Sequence, residues 1–491
     1  MLTLIDRAID FASRTAIGSD GQTFSYQELL DQSAALASTL LAGKTDLEEA
    51  RVAFMVDPGF QYVVTQWAIW RAGGIAVPLC TGYPLNSLAY VIEDSDADLI
   101  VADGDYYNTL QPYAKEHHKR LLGSKDTGRD EARLPEIQTK RRAMMLYTSG
   151  TTGQPKGVVT THANIEAQIS SLIQAWGWHT DDHILNVLPL HHVHGIINVT
   201  CCALWSGARV TFMLRFSASG IFETFLTEED MNVFMAVPTI YYKLITAFNS
   251  LSAKQQTFLS ARMKQFRLMI SGSAALPVSV MEQWEELSGQ RLLERYGMTE
   301  IGMAISNPYG AERRAGHIGQ PLPGMQVRLV EDDGAITDEG PGQIQVKGPA
   351  VFNQYWRRPD VTKKSFTHDG WFETGDVAEL KDGYFRILGR NSVDIIKSGG
   401  YKISALEIEE VLRKHEVVDD VAVVGIPSEE WGEIVAAYVI TNTKTEQSTL
   451  DTFLADKLPR YKRPSRYLFA KELPRNAMGK VMKPAVKTHF V

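Results

Sequence analysis

Apolar positions along this chain alternate between two periods, and the alternation predicts the fold. Residues 26–41 and 60–72 carry apolar side chains at helical spacing, whereas 51–55, 75–79 and 98–102 are short apolar runs. The strand-like runs continue at 210–213, 233–237 and 266–270. Strands alternating with helices argue for parallel sheets covered by helices. Near residue 325 the texture changes. The runs 325–330 and 343–347, separated by a turn-rich stretch, predict a β-hairpin with a loose loop, and 384–388 predicts one more strand. Beyond it the chain reads as a compact piece: a helix over 404–414, strands over 418–424 and 435–441, a helix from Thr449 and a basic tail. The expectation is an α/β protein with a large multi-sheet N-terminal domain, residues 1–390, and a small α+β C-terminal domain, residues 391–491.

Composition narrows the class of protein. At 491 residues the chain exceeds what one hydrophobic core serves, which agrees with two domains. A net charge of −8 without a long basic run argues against nucleic acid as the partner. Three cysteines, with neither CxxC spacing nor a Cys/His cluster, predict a reducing compartment, taken here as cytoplasmic, and no structural zinc. The first residues, with Asp6 and Asp10 inside an apolar periodicity, read as a short amphipathic helix rather than a signal peptide. No apolar run is long enough to span a bilayer.

The candidate chemistry starts at Thr148–Gly157, TSGTTGQPKG, in which nine residues are Gly, Ser, Thr, Pro or Lys. Such a run predicts a loop that lays backbone N–H groups and hydroxyls against an anion. The apolar run 143–147 ahead of it predicts a buried strand, so the loop lies at a strand end, where phosphates dock in open α/β sheets. It is not the common NTPase loop, because Pro155 stands where the second Gly of that pattern belongs. A flexible linker is the alternative, yet Pro155-Lys156-Gly157 stiffens and charges the segment.

Further along, His191, His192 and His194 crowd into one short stretch without a carboxylate or cysteine at ligand spacing, which favours a pocket wall or gate over a metal site. Ser271-Gly-Ser-Ala-Ala275 follows a strand, and its small side chains would let a flat ring approach backbone, or simply form a tight turn. Tyr296-Gly-Met-Thr-Glu300 offers an aromatic ring, a hydroxyl for phosphate and a carboxylate for Mg²⁺. Trp371–Asp376 ends in an acid on an expected turn, suited to two ribose hydroxyls. Gly389-Arg390, Asp394 and Lys397-Ser-Gly-Gly-Tyr401 sit on the domain boundary, where glycines allow a hinge or a close ligand approach. Pro474–Lys480 places a lysine after Gly in the tail.

In this order, TSGTTGQPKG, YGMTE, TGD, GR…D…KSGGYKI and PRNAMGK resemble the adenylate-forming superfamily over nearly the whole chain. The resemblance implies ATP, CoA and Mg²⁺, a carboxylic acid substrate, no nucleic acid, and a mobile C-terminal domain. It implies that Thr148, Ser149, Gly150, Thr151, Thr152, Gly153 and Lys156 cradle the ATP phosphates. Thr299 would meet the α-phosphate, Glu300 would hold Mg²⁺, and Ser273, Ala274 and Tyr296 would flank adenine. Asp376 and Arg390 would take the ribose hydroxyls, Lys480 would serve adenylation, and Ser398, Gly399 and Gly400 would meet CoA.

The expected acid pocket contains His192, His194, Ser271, Ser273, Arg295 and Met298, which is polar and short rather than a fatty-acid tunnel. A basic pocket suits a second carboxylate. LPLHHVHG, RLMISGSAALP and LERYGMTEIGMA are similar to the malonyl-CoA synthetase branch, where an Arg or Lys meets the distal carboxylate; Lys243 and Arg295 are the candidates. Malonate or methylmalonate is the implied acid. Another short acid, transfer to a carrier protein, and a nucleotide-binding protein without catalysis are the alternatives. One departure stands out: Asn391-Ser392-Val393 separates Arg390 from Asp394, one residue longer than in relatives, so no single residue inherits the hinge role.

Overall fold

The computed structural model describes residues 2–126, 133–148, 154–475 and 481–490. Two large sheets form the N-terminal part. In the seven-stranded sheet, Arg51–Met55 pairs in parallel with Ile75–Pro78 and Leu99–Ala102, and Arg142–Thr148 extends it. In the nine-stranded sheet, His183–Asn186, Val233–Ala236, Leu268–Ser271 and Leu293–Met298 run parallel side by side. Every position of Ile75–Pro78, Leu99–Ala102, Val233–Ala236 and Leu268–Ser271 is buried, as expected for parallel strands covered on both faces. The short apolar runs of the sequence are therefore inner strands, and the periodic runs are the helices that cover them.

Helix Tyr26–Leu41 shows how local chemistry sets a boundary. Ser25 Oγ accepts from the Glu28 N–H at 3.2 Å, and the Glu28 carboxylate accepts from the Ser25 N–H at 2.7 Å. This reciprocal cap satisfies two backbone donors that the first helical turn leaves open. Inward positions Leu29, Leu36, Ala37 and Leu40 are then buried.

A third, antiparallel sheet contains Gln326–Val330, Gly342–Lys347, Phe372–Lys381 and Tyr384–Arg390. A fourth is built from Ile395–Ser398, Tyr401–Ser404, Val418–Ser428, Gly432–Thr441 and Arg466–Ala470. Among the described residues no cluster of buried apolar side chains crosses residue 390: three draw on residues 2–385 and two on residues 396–486. Cys80, Cys201 and Cys202 are free thiols, and among the described residues no helix is long and apolar enough to cross a membrane.

Arg267 sits where the strand Leu268–Ser271 begins. Its Nε donates to Asp182 Oδ1 at 2.5 Å, a second nitrogen meets Oδ2, and Nη1 donates to the Trp176 carbonyl at 2.9 Å. The Asp182 side chain is 0% exposed, so removing its partner strands a buried charge. Arg267→Met is expected to lower unfolding stability by about 3–5 kcal/mol, and adding Asp182→Leu should recover much of it. Chemical denaturation checks this; a loss below about 1 kcal/mol would show the pair to be dispensable.

Candidate active site

The TSGTTGQPKG run joins two paired strands. Thr148 ends strand Arg142–Thr148, Lys156 begins strand Lys156–Thr161, and the two are register partners. The expectation of loop throughout 148–157 is corrected at its end: Gly157 is a buried ladder residue, and a Cβ there would lie 2.8 Å from Met145 Sδ. Ser149, Gly150, Thr151, Thr152 and Gly153 lie outside the described residues. The far end of the run is anchored from two sides. Tyr90 donates its hydroxyl to the Pro155 carbonyl at 2.8 Å, and the Trp356 N–H donates to the Gly157 carbonyl at 2.7 Å. The Lys156 amine lies 5.3 Å over the Tyr355 ring.

Four residues from distant segments meet near this loop. Tyr296 donates to Asp376 Oδ2 at 2.7 Å, and Arg390 Nε donates to Asp376 Oδ1 at 3.0 Å. Asp376 was expected on a turn. It lies instead inside strand Phe372–Lys381, opposite Arg390, because the left-handed Gly375 (φ +76°) and a register shift keep the chain in the ladder while turning the acid to the site. Glu300 is buried, and its one described side-chain partner is Tyr355, which donates to Oε1 at 2.9 Å. Burial raises the Glu300 carboxyl, while Tyr355, Arg390 and Lys156 act against that rise. A buried carboxylate with one donor and two cations nearby has free lone pairs, so it fits a divalent cation. Thr299 lines a small cavity of about 10 Å³ with Leu146, Thr160 and Gln168, enough for about one water.

The residues expected in the acid pocket come from three segments. Ser271 closes its strand beside Glu294, so Gly272 follows at the level of Arg295, which continues strand Leu293–Met298. His194 opens a π-helix, His194–Cys201, which the sequence reading did not anticipate; such turns are rare and cluster at functional sites. Ser273, left-handed at φ +70°, shares a hydrogen bond with His194 Nδ1 at 3.2 Å. Ser273 and Ala274 are exposed at the rim, and Met298, half-buried, ends its strand.

Several polar atoms of these residues lack partners among the described residues. His192 Nε2, His194 Nε2, Ser271 Oγ, Arg295 Nε and Arg295 Nη2 are all buried without a hydrogen bond among the described residues. Burial pushes His192 down to about 4 and His194 well below its ordinary value, so both are neutral at physiological pH. Burial also lowers the Arg295 guanidinium, to about 9, which leaves it cationic at neutral pH. Lys243 does not join it. On helix Pro238–Asn249, Tyr241, Leu244, Ile245 and Phe248 face inward, and Lys243 is exposed with its amine 5.2 Å over Phe216.

Ser398, Gly399 and Gly400 have a structural role that the hinge reading missed. Strands Ile395–Ser398 and Tyr401–Ser404 form a hairpin whose two-residue turn is Gly399-Gly400, at φ +55° and +82°. Both glycines are exposed, and the indole of Trp431 packs against Gly399. Lys480 lies outside the described residues. His183, Glu228 and Asp230 also gather closely, but both His183 ring nitrogens are engaged, by Asp230 and Thr211, and Arg209 pairs with the two acids.

This architecture and site match known proteins. The family model described as AMP-binding enzyme matches residues 6–356, and that of the AMP-binding enzyme C-terminal domain matches 407–480. The chain belongs to the AMP-binding enzyme family and is an acid–thiol ligase of the adenylate-forming superfamily. Among its relatives is human malonate–CoA ligase ACSF3, mitochondrial, 43% identical over 99% of this chain and 91% of that protein. Malonate–CoA ligase of Arabidopsis thaliana is 38% identical, covering 98% and 87%. The ATP-bound crystal structure of MatB from Rhodopseudomonas palustris superposes with a TM-score of 0.90 at 31% identity, covering 100% of this chain and 99% of that one.

Glu294, beside Arg295, gives the site a pH signature. Its Oε1 accepts from the Leu276 N–H at 2.9 Å, whereas Oε2 is buried without a partner among the described residues. Burial pushes its carboxyl up to about 8, and Glu410 acts in the same direction. The folded state therefore holds a proton that the unfolded chain releases near its ordinary 4.5. Its contribution to stability is complete below about 4.5 and is lost as pH rises through about 8, at up to roughly 1.4 kcal/mol per unit. Glu294→Gln, which keeps the acceptor, is expected to flatten the fall in stability between pH 5 and 8 in pH-resolved denaturation; an unchanged slope would contradict the buried acid.

Proposed function

We propose that this protein is an ATP-dependent malonate–CoA ligase that accepts malonate or a close relative such as methylmalonate. The observation that carries the reading is Arg295, buried and cationic, with two guanidinium nitrogens unpaired among the described residues. A buried cation needs an anion, and a planar guanidinium suits a carboxylate held by two hydrogen bonds. The reacting carboxylate must lie toward the nucleotide, so the group at Arg295 is a second carboxylate. Neutral His192 and His194 and the Ser271 hydroxyl supply further donors without adding charge. The names of the human and Arabidopsis relatives, both malonate–CoA ligases, support the same acid.

In this reading the first step joins a malonate oxygen to the α-phosphorus of ATP, and pyrophosphate leaves with the electron pair of the broken P–O bond. Thr148, Ser149, Gly150, Thr151, Thr152, Gly153 and Lys156 hold the departing phosphates, and Thr299 meets the α-phosphate. Glu300 would hold Mg²⁺, which neutralises phosphate charge when bound. Tyr296, Ser273 and Ala274 flank adenine, and Asp376, aligned by Tyr296 and Arg390, takes the ribose hydroxyls. Lys480 offsets the charge that develops as two anions meet. In the second step the CoA sulfur attacks the acyl carbon, its proton passes to solvent and AMP leaves. The segment 391–491 acts as a domain that moves between the steps, bringing the Ser398-Gly399-Gly400 turn to the thiol. A cytoplasmic location is part of this reading, resting on three free cysteines, whereas the human relative's name places that protein in mitochondria.

Two experiments test it. In a pyrophosphate-release assay, the purified protein is expected to prefer malonate or methylmalonate over succinate, acetate, octanoate and benzoate. Arg295→Leu should lower the malonate-to-acetate ratio of kcat/KM by at least about thirtyfold; an unchanged ratio removes Arg295 from the pocket. Separately, Lys480→Ala should slow adenylation by about 10²–10³ while sparing thioester formation from supplied malonyl-AMP. Equal loss in both steps would remove the lysine from its role.

A further inference from the structure

We infer that Gly272 is a specificity-determining residue, because the absence of its side chain leaves the space that the Arg295 guanidinium occupies. This deepens the dicarboxylate reading and rests on it. A Cβ built on Gly272 would lie 2.6 Å from Arg295 Cζ and 2.7 Å from both Nε and Nη1. Carbon and nitrogen do not approach that closely without a bond, so a methyl group and the guanidinium compete for one volume.

Three observations locate the effect in that side chain and not in the backbone. Gly272 lies outside the left-handed region, so alanine can adopt its backbone conformation. The backbone cannot retreat easily: the Gly272 N–H donates to the Ala236 carbonyl at 3.3 Å, and two residues earlier the Ile270 carbonyl accepts from the Tyr241 hydroxyl at 2.9 Å. The guanidinium has no hydrogen bond through Nε or Nη2 among the described residues to hold it in place. As the loosely tethered end of a long side chain, it is the group that moves when Gly272 gains a Cβ. Gly272 is a positioning residue: it acts on the substrate through Arg295.

The test is the selectivity ratio of Gly272→Ala. For malonate, KM is expected to rise about tenfold or more with kcat little changed, while kcat/KM for acetate stays within about twofold. Binding seen as malonate-dependent thermal stabilisation should weaken in parallel. An unchanged malonate-to-acetate ratio, with or without a general loss of activity, would overturn the proposal. If Gly272→Ala does not fold, the double variant Gly272→Ala/Arg295→Leu should, because the competing group is gone; a double variant equally unable to fold overturns the contact. Arg295→Leu alone separates the two levels. If it leaves the ratio intact, the dicarboxylate reading fails; if it collapses the ratio and Gly272→Ala does not, only the role of Gly272 fails.

Discussion

A guanidinium buried without a carboxylate is the constraint on which this active site depends. Removing an ion from water costs several kcal/mol even after relaxation, and proteins tolerate that cost where a partner arrives. Arg295 is 3% exposed, and desolvation is what shifts it. The proposed pocket gathers residues that suit that charge: two histidines kept neutral by burial, a buried serine hydroxyl, and a glycine whose missing side chain makes room. Neutral histidines matter as much as the arginine, since protonated ones would repel it. The site stores an unmet electrostatic need that only an anionic group can fill.

The scaffold that carries this charge is rigid where the chemistry requires it. Parallel strand Leu268–Ser271 ends opposite Glu294, so Gly272 follows it at the level of Arg295 on the neighbouring strand. Tyr296, Asp376 and Arg390 join the nine-stranded sheet to the antiparallel one. Arg390 also reaches toward the second half of the chain: its N–H donates to Asp394 Oδ2 at 3.0 Å, and Asp394 pairs with the buried Lys483 at 2.6 Å. Asp376 and the boundary segment thus share one hydrogen-bonded chain of residues.

Much of the fold was legible because its cues are local. Apolar runs became Arg51–Met55, Leu99–Ala102 and Val233–Ala236, and the helical periodicity of 26–41 became helix Tyr26–Leu41 with its Ser25 cap. The hairpin over 325–347 emerged as Gln326–Val330 paired with Gly342–Lys347. What stayed hidden depends on tertiary geometry. Asp376 looked like a turn acid because Gly precedes it, and only pairing with Arg390 puts it in a strand. Lys243 and Arg295 were both candidates, Lys243 already the weaker as a commonly exposed lysine, until the helix presented it to solvent and the strand buried Arg295. The π-helix after His194 and the crowding at Gly272 have no sequence period, so no pattern could announce them.

The central claim is that the distal carboxylate of the acid pairs with Arg295. The most direct measurement is a crystal structure with a non-hydrolysable malonyl-adenylate analogue. The expected result places distal carboxylate oxygens about 3 Å from Arg295 Nε and Nη2. A distal carboxylate pointing elsewhere, with the guanidinium still unpaired or turned to a protein acid, would contradict the account.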